Sequence, residues 1–296
     1  MTDHVATLIS GGLGDLEESL VVHYAALLRS HGGNDVRYQW LRRGKSVDVF
    51  CSDLDVETLR EHFRIAIPAQ AFDIIVQPVA NRRKRLLIAD MESTMIEQEM
   101  LDEIAALLGL HDKVAKITFR AMNGELDFAA SLRQRVELLA GQPVSLLEEA
   151  ARCITPMRGA AALVATMKRH GAQCWLVTGG FSCFANSVGE RLGFDKVFSN
   201  HLEIESGKIT GRLGLPILDK NSKKASLEQA CRDQGLTLAD CLAIGDGAND
   251  VPMLQACNEG GGLGVAYHAK PVVRAVVPHQ INYADLSALI EAQGLG

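Results

Sequence analysis

Three short apolar segments that run directly into polar turns constrain the fold of this chain more than any other feature. Residues 86–89, 174–177 and 241–244 are each followed at once by a turn that contains glycine or aspartate, and helical segments lie between them. Apolar strands that alternate with helices predict an α/β fold with a Rossmann-like parallel sheet and helices on both faces. Such sheets bind ligands at the carboxyl ends of their strands, so we expect the functional residues there.

The segment before this sheet predicts a smaller domain of a different kind. Over residues 4–79 the order is strand, helix, strand, strand, helix, strand, which is typical of the ferredoxin-like βαββαβ fold and similar to small-molecule-sensing ACT domains. The basic stretch 81–85, Asn-Arg-Arg-Lys-Arg, is the best candidate for a domain boundary, and we interpret it as a solvated linker rather than a nucleic-acid patch. We therefore expect a ferredoxin-like, ACT-like domain over 1–80 and a main domain over 81–296.

A helical insertion in the main domain predicts a cap over the strand ends. Met100 and Ile104 are four residues apart, as are Leu132 and Val136, and the surrounding segment looks helical throughout. A helical cap at about 97–155 is the simplest interpretation.

Charge and cysteine content exclude several classes of protein. The net charge of −6 argues against a general binder of nucleic acid or of anionic membranes, whose surfaces are strongly basic. The longest apolar runs fall short of the roughly 18 residues of a spanning helix, and the seven cysteines are scattered without a Cys-x-x-Cys pair. We expect a cytoplasmic protein with reduced thiols and a small-molecule substrate, without nucleic-acid or membrane partners. The oligomeric state stays open, with a homodimer among the alternatives.

Two of the apolar segments end in residues that suit phosphate chemistry. Asp90 and Glu92 stand two residues apart after the first segment, where charges need a partner or a function, although helix caps and turns use such acids as often. Thr178 follows the second segment and precedes Gly179 and Gly180. Glycine permits close backbone approach, and N–H groups at a helix start bind phosphate oxygens, although a Gly-Gly pair is first of all a turn.

The third apolar segment and a lysine before it complete the set. Lys223 precedes a predicted helix, where most lysines are merely solvated. Asp246, Asn249 and Asp250 lie among small residues after the third segment. Two acids and an amide in such a turn suit a hard cation bound through oxygen.

In this order, the motifs resemble those of the haloacid dehalogenase (HAD) superfamily over about residues 85–275. The motifs are Asp-x-x-x-Thr, Thr-Gly-Gly-Phe, a lysine and Gly-Asp-Gly-Ala-Asn-Asp. Within the superfamily, the segments 93–99, 131–136, 179–181 and 269–271 resemble the phosphoserine phosphatase family, and the N-terminal layout is similar to its longer bacterial members. The resemblance implies Mg²⁺-dependent hydrolysis of O-phospho-L-serine to L-serine and phosphate through an aspartyl phosphate, the last step of serine biosynthesis.

The resemblance also implies roles for individual residues. Asp90 would be the nucleophile, and the metal would be held by Asp90, the main-chain carbonyl of Glu92, and Asp246. Phosphate oxygens would be bound by Thr178, the Gly179 N–H and Lys223. Asn249 and Asp250 would steady this shell, while Glu99 and Arg135 would contact the amino acid part of the substrate.

Glu92 departs from the family pattern, which commonly has aspartate at this position. There the side chain protonates the departing serine oxygen and later activates water. Glutamate has nearly the same intrinsic pKa but one more methylene, so its proton must be placed by a different rotamer. We expect activity to survive this change. The alternatives are an enzyme that transfers the phosphoryl group to another alcohol or acts on another monoester, and a serine-responsive binding protein with a disabled core.

Overall fold

The N-terminal part folds into a four-stranded antiparallel sheet with two helices. The computed structural model describes residues 3–12, 16–66, 72–122 and 125–295. The N-terminal elements are β1 (His4–Ser10), α1 (Glu18–Ser30), β2 (Asn34–Arg42), β3 (Ser46–Ser52), α2 (Val56–Ala66) and β4 (Phe72–Pro78). The strands lie in the order β2-β3-β1-β4. In α1, a stripe of side chains three and four residues apart, including Tyr24 and Leu28, is buried in the core of this part. The predicted βαββαβ order is confirmed.

The main part is built on the predicted parallel sheet. Its strands are β5 (Leu86–Ala89), β6 (Gln173–Phe181), β7 (Lys196–Asn200), β8 (Leu202–Glu205), β9 (Lys208–Leu213), β10 (Cys241–Gly245), β11 (Leu263–Tyr267) and β12 (His279–Ile281). Six of them form the sheet β12-β11-β10-β5-β6-β7, while β8 and β9 form a separate hairpin. The ends of β10, β5 and β6, which carry the predicted motifs, are therefore neighbours.

Four of the five helices described between β5 and β6 form the cap. They are α3 (Met100–Leu107), α4 (His111–Met122), α5 (Phe128–Glu137) and α6 (Ser145–Ala151). The two chain segments that enter and leave the cap pair with each other: Glu97 N donates to Thr155 O at 3.0 Å and Met157 N donates to Met95 O at 2.9 Å, on either side of an antiparallel bridge between Ile96 and Pro156. We call this paired segment the neck.

The remaining helices cover the two faces of the parallel sheet. They are α7 (Ala160–Arg169), α8 (Ser182–Leu192), α9 (Lys220–Gln234), α10 (Val251–Glu259), α11 (Pro271–Arg274) and α12 (Ala288–Ala292). Successive side chains of β5 point to opposite faces, so Leu87 belongs to the same core cluster as Leu163 of α7, and Leu86 to that of Leu227 of α9. All four residues of β5 are buried, as expected for a central parallel strand. None of the helices in the described ranges has the length and apolar character needed to cross a membrane.

The basic stretch between the two sheets is not the solvated linker that the sequence suggested. Lys84 is buried and donates to Ala239 O at 2.8 Å. Arg82 makes two hydrogen bonds to Asp48, of 2.6 and 2.7 Å. Asp48 is itself buried, and a buried carboxylate requires a close cation, while the aliphatic stems of arginine and lysine can pack among apolar groups. Only the other residues of the stretch are exposed.

Strand β6 continues through residues that the sequence predicted to form a turn. Thr178, Gly179 and Gly180 lie within β6, and α8 begins only at Ser182. The pairing of β6 with β7 is irregular between Val177 and Phe181. A side chain replaces part of the missing backbone pairing, because Asn200 Nδ2 donates to Gly179 O at 2.8 Å.

Candidate active site

A buried lysine joins two of the predicted motifs. Lys223 Nζ lies 2.6 Å from Asp90 Oδ1 and 2.6 Å from Asp250 Oδ1. The lysine is 2% exposed, Asp90 5% and Asp250 0%. Both carboxylates hold the pKa of Lys223 above its usual value against the opposing effect of burial, so the ammonium stays charged.

Helix α9 begins where Lys223 can reach this position. Asp219 is its N-cap residue, and its side chain accepts hydrogen bonds from the amides of Asn221 and Ser222, both at 2.9 Å. The Ser222 hydroxyl is 3.1 Å from the Asp219 amide and completes a capping box. Hydrogen bonds to the Asp219 side chain and to the Ser222 hydroxyl therefore fix the first turn of α9, which carries Lys223.

Three carboxylates converge beside the lysine. Asp90, Asp246 and Asp250 each offer an oxygen, and these oxygens lie within 4.8 Å of one another. Burial and the Asp250 charge raise the pKa of Asp90 well above its ordinary value, and burial raises that of Asp246 to about 6. A cluster of hard oxygen donors whose negative charges oppose one another fits a divalent cation, which would relieve that repulsion.

Two glycines make room for the acidic turn after β10. A Cβ atom on Gly245 would lie 2.3 Å from the Asp250 carboxyl carbon, and one on Gly247 would lie 2.4 Å from Asn249 Oδ1. The Gly247 amide also donates to Asp250 Oδ2 at 3.0 Å. Asp250 thus accepts a hydrogen bond from Lys223 with Oδ1 and one from the turn with Oδ2.

Glu92 bridges the core and the cap. Its Oε1 accepts the Met100 amide at 3.0 Å, at the N-terminus of α3. Its Oε2 lies over Gly180, where an added Cβ would be 2.8 Å away. Burial first, and the Glu99 charge second, raise the pKa of Glu92 to about 7. The longer side chain of Glu92 is accommodated because the Met100 amide binds one of its oxygens and the absence of a Cβ on Gly180 leaves room for the other.

These residues surround a cavity of about 130 Å³ between the core and the cap. The core side contributes Asp90, Glu92, Gly179, Gly180, Phe181, Asp246, Asn249 and Lys270, and the cap side Glu99, Leu101, Phe128, Leu132 and Arg135. Among the predicted site residues, Thr178, Lys223 and Asp250 do not line this cavity, and all three are buried. Thr178 Oγ1 accepts the Gly180 amide at 2.9 Å.

The predicted substrate-contacting pair lies on the cap wall. Glu99 precedes α3 and is half-exposed, and its Oε1 accepts the Ser93 hydroxyl at 2.9 Å. Arg135 on α5 is partly buried, and burial lowers its pKa although Asp102, Glu92 and Glu99 oppose that effect. One anionic and one cationic group therefore face the same small space.

Lys270 and Phe128 are among the lining residues that were not assigned a role from the sequence. Lys270 Nζ lies 3.4 Å from Asp246 Oδ2 and 4.0 Å from Glu99 Oε1. The Phe128 ring covers Gly179, where an added Cβ would lie 3.1 Å from its Cζ. Lys270 belongs to the Ala-Lys-Pro segment, whose resemblance to the family marked it as of interest but did not indicate where the lysine side chain lies. Nothing in the sequence around Phe128 indicates that its ring faces a cavity.

Comparisons with known proteins agree on one family. The haloacid dehalogenase-like hydrolase family matches residues 87–255. A phosphoserine phosphatase of Archaeoglobus fulgidus is 40% identical over 237 residues, which are 79% of this chain and 68% of that protein. A HAD family hydrolase of Salmonella enterica serovar Typhi superposes with a TM-score of 0.82 at 30% identity and covers 98% of both chains. A phospho-aspartyl intermediate analogue of phosphoserine phosphatase superposes with a TM-score of 0.64 at 37% identity, over 71% of this chain and 98% of that one.

Proposed function

The chain belongs to the haloacid dehalogenase-like hydrolase family, and on that premise we propose that it hydrolyses O-phosphoserine to serine and phosphate. The observation that carries the proposal is the single cavity in which Asp90 and Asp246 face Glu99 and Arg135, with Lys223 directly behind Asp90. Similarity to proteins described as phosphoserine phosphatases supports this choice of substrate. The reaction would be the final step in making serine.

Asp90 is the proposed nucleophile. Its carboxylate attacks phosphorus, the bond from phosphorus to the serine oxygen breaks, and an acyl phosphate forms on Asp90. Water then attacks that phosphorus, which releases phosphate and restores the carboxylate. Lys223 offsets the negative charge of Asp90 during the approach of the phosphate, and the Gly179 backbone lies on the cavity wall where it can meet a phosphate oxygen.

Glu92 is the proposed acid and base. A pKa of about 7 leaves a substantial fraction of the carboxyl protonated near neutral pH. The protonated form donates its proton to the departing serine oxygen, and the resulting carboxylate accepts a proton from the attacking water.

Magnesium is the cation that we propose for the acidic cluster. Asp90 and Asp246 would hold it together with the main-chain carbonyl of Glu92, while Asp250 supports the turn from behind. When bound, it supplies positive charge that reduces repulsion between the phosphate and the carboxylates. The three acids suit magnesium because they offer only oxygen atoms.

Substrate choice is proposed to rest on the cap. Glu99 would bind the ammonium group and Arg135 the carboxylate, so that both ends of the amino acid are read. Phe128 and Leu132 would pack against the carbon atoms between them. We also propose a cytoplasmic location, which suits the free thiols of the seven cysteines.

The deciding experiment measures phosphate released from phosphoserine by the purified protein with magnesium. We expect Asp90→Asn to lower turnover by roughly 1,000-fold or more, since an amide cannot form the acyl phosphate. The control is Asp112→Asn, whose carboxylate is 98% exposed on α4 and should not change turnover. Added EDTA should abolish activity and excess magnesium should restore it.

Two results would contradict the proposal. One is phosphoserine turnover by Asp90→Asn near the wild-type rate, which would remove the nucleophile. The other is binding of serine without any turnover of phosphoserine, which would favour a regulatory protein. Transfer of phosphate to an added alcohol in place of water would reassign the reaction to phosphotransfer.

A further inference from the structure

Ser93 has a backbone conformation that its residue type does not favour. Its φ is +55°, in the left-handed region, where asparagine, aspartate and glycine are the usual residues. The turn around it is held by the carbonyl of Met91, which accepts the amides of Thr94, Met95 and Ile96 at 3.3, 2.8 and 3.0 Å. Glycine would adopt this φ without strain, so the contacts of the Ser93 side chain are the place to look for a reason for the serine.

The Ser93 hydroxyl is directed at one oxygen of Glu99. Oγ donates to Glu99 Oε1 at 2.9 Å rather than to neighbouring backbone. Lys270 Nζ is 4.0 Å from the same Oε1. Both groups therefore approach the same oxygen of the Glu99 carboxylate, Oε1. Together they determine where the other oxygen, Oε2, is directed.

The Glu99 side chain is not used to cap helix α3. Glu99 is the N-cap residue of α3, but its side chain makes no capping hydrogen bond. The amide of Met100, the first residue of α3, donates to Glu92 Oε1 at 3.0 Å. The carboxylate of Glu99 is thus free to face the cavity, and among the described residues Ser93 is the one that donates a hydrogen bond to it.

We propose that Ser93 is a positioning residue for substrate specificity: it fixes the Glu99 carboxylate so that phosphate monoesters with an ammonium group are preferred over those without one. This inference rests on the proposed function, in which Glu99 binds that ammonium. The φ of Ser93 directs its hydroxyl at Glu99. The turn that follows the nucleophile therefore also positions the group that binds the amino acid part of the substrate.

The test compares three substrates in variants that separate the hydroxyl from the backbone. Ser93→Gly removes the hydroxyl and accepts the positive φ, while Ser93→Ala removes the hydroxyl and keeps the strain. The substrates are phosphoserine, 3-phosphooxypropanoate, which lacks the ammonium group, and p-nitrophenyl phosphate. We expect both variants to lower the preference in kcat/KM for phosphoserine over the amine-free ester by about 10-fold, as for a hydrogen bond to a charged group. The loss should appear as a higher KM for phosphoserine, with kcat for p-nitrophenyl phosphate changed by less than about 2-fold.

A double-variant cycle with Glu99→Gln tests whether Ser93 acts through Glu99. If it does, Ser93→Gly should cost little further preference in the Glu99→Gln background, because the group to be positioned is already neutral. Unchanged preference in Ser93→Gly, or an equal loss on all three substrates, would overturn the inference while leaving phosphoserine hydrolysis intact. Absence of phosphoserine turnover in the wild type would instead overturn the proposed function, and this inference with it.

Discussion

At the scale of single residues, Glu92 shows how two neighbours give one carboxyl opposing preferences. The Met100 amide stabilises its ionised form, whereas burial and Glu99 favour the protonated form and prevail, so that its pKa is about 7. An unfolded chain would release this proton near pH 4.5. Folding therefore takes up a proton between these two values.

The linkage predicts how Glu92→Gln changes stability with pH. The contribution of the protonated carboxyl is fully present below about pH 4.5 and is lost as pH rises through about 7, whereas an amide does not titrate. We expect the metal-free variant to melt about 2–4 °C above the wild type at pH 8, for a difference of about 1 kcal/mol after allowance for solvent, and the gap to vanish near pH 4. Differential scanning calorimetry in EDTA measures it. A gap that stays constant over this range would show that Glu92 is not the titrating group, and Glu97→Gln, at an exposed neighbour, serves as the control.

The sequence predicted the acids at the strand ends but not every residue that meets them. Asp90 and Asp246 follow buried strands that lie side by side, so their convergence follows from the sheet alone. Lys270 and Phe128 reach the same cavity from a loop after β11 and from the cap. Their directions depend on how separate elements pack, which no local pattern records.

At the scale of elements, α9 supports Lys223, which lies in the first turn of that helix. The Asp219 carboxylate caps this helix, and the hydrogen bonds from Ser222 and Asn221 hold its pKa below the usual value. Lys223 is four residues beyond Asp219 and directly follows Ser222. Precise placement of the ammonium thus depends on how the first turn is closed.

We expect Asp219→Ala to lower the free energy of unfolding by about 1 kcal/mol, the usual cost of an N-cap carboxylate. Urea denaturation at pH 7 measures this loss, and phosphatase assays should show a smaller turnover because the first turn frays around Lys223. Asp219→Asn is the matched control, since asparagine caps almost as well. Equal stability of the alanine and asparagine variants would mean that the cap contributes nothing here.

The β8–β9 hairpin was not predicted from the sequence. It pairs with the loop between α5 and α6, since Ile209 N donates to Gln142 O and Gly141 N donates to Ile209 O, both at 2.8 Å. Its strands are four and six residues long, and Ile209 and Leu213 are their buried residues, so neither has the apolar run by which the sheet strands were found. The β6 extension was missed for a related reason, because glycines that favour turns can also continue an irregular strand.

At the scale of the whole molecule, Arg82 connects the N-terminal sheet to the main part. It pairs with Asp48 of β3 and also donates to Ala292 O at 2.8 Å and Glu291 O at 3.1 Å in α12. Nearby, the Asp73 carboxylate accepts three amides from the loop after β12. The two sheets are therefore joined by buried polar contacts.

Arg82→Met should destabilise the protein strongly. It leaves the buried Asp48 carboxylate without its cation, which in such pairs costs about 3–5 kcal/mol. Arg83→Met is the control, since its neighbouring side chain is exposed. Urea unfolding of both variants measures the difference. A loss below about 1 kcal/mol for Arg82→Met would show that water replaces the guanidinium beside Asp48, to which Thr7 already donates.

The position of the neck bears on the order in which Glu99 and Arg135 would bind a ligand. Glu99 lies two residues from the paired segment that ends at Glu97, whereas Arg135 stands on α5, far along the chain from either pivot. Any swing of the cap about the neck would carry Arg135 with α5, while Glu99 would stay next to the paired segment. On the proposed function, the amino group of the substrate would then meet Glu99 while the cap is open, and Arg135 would reach the carboxylate last.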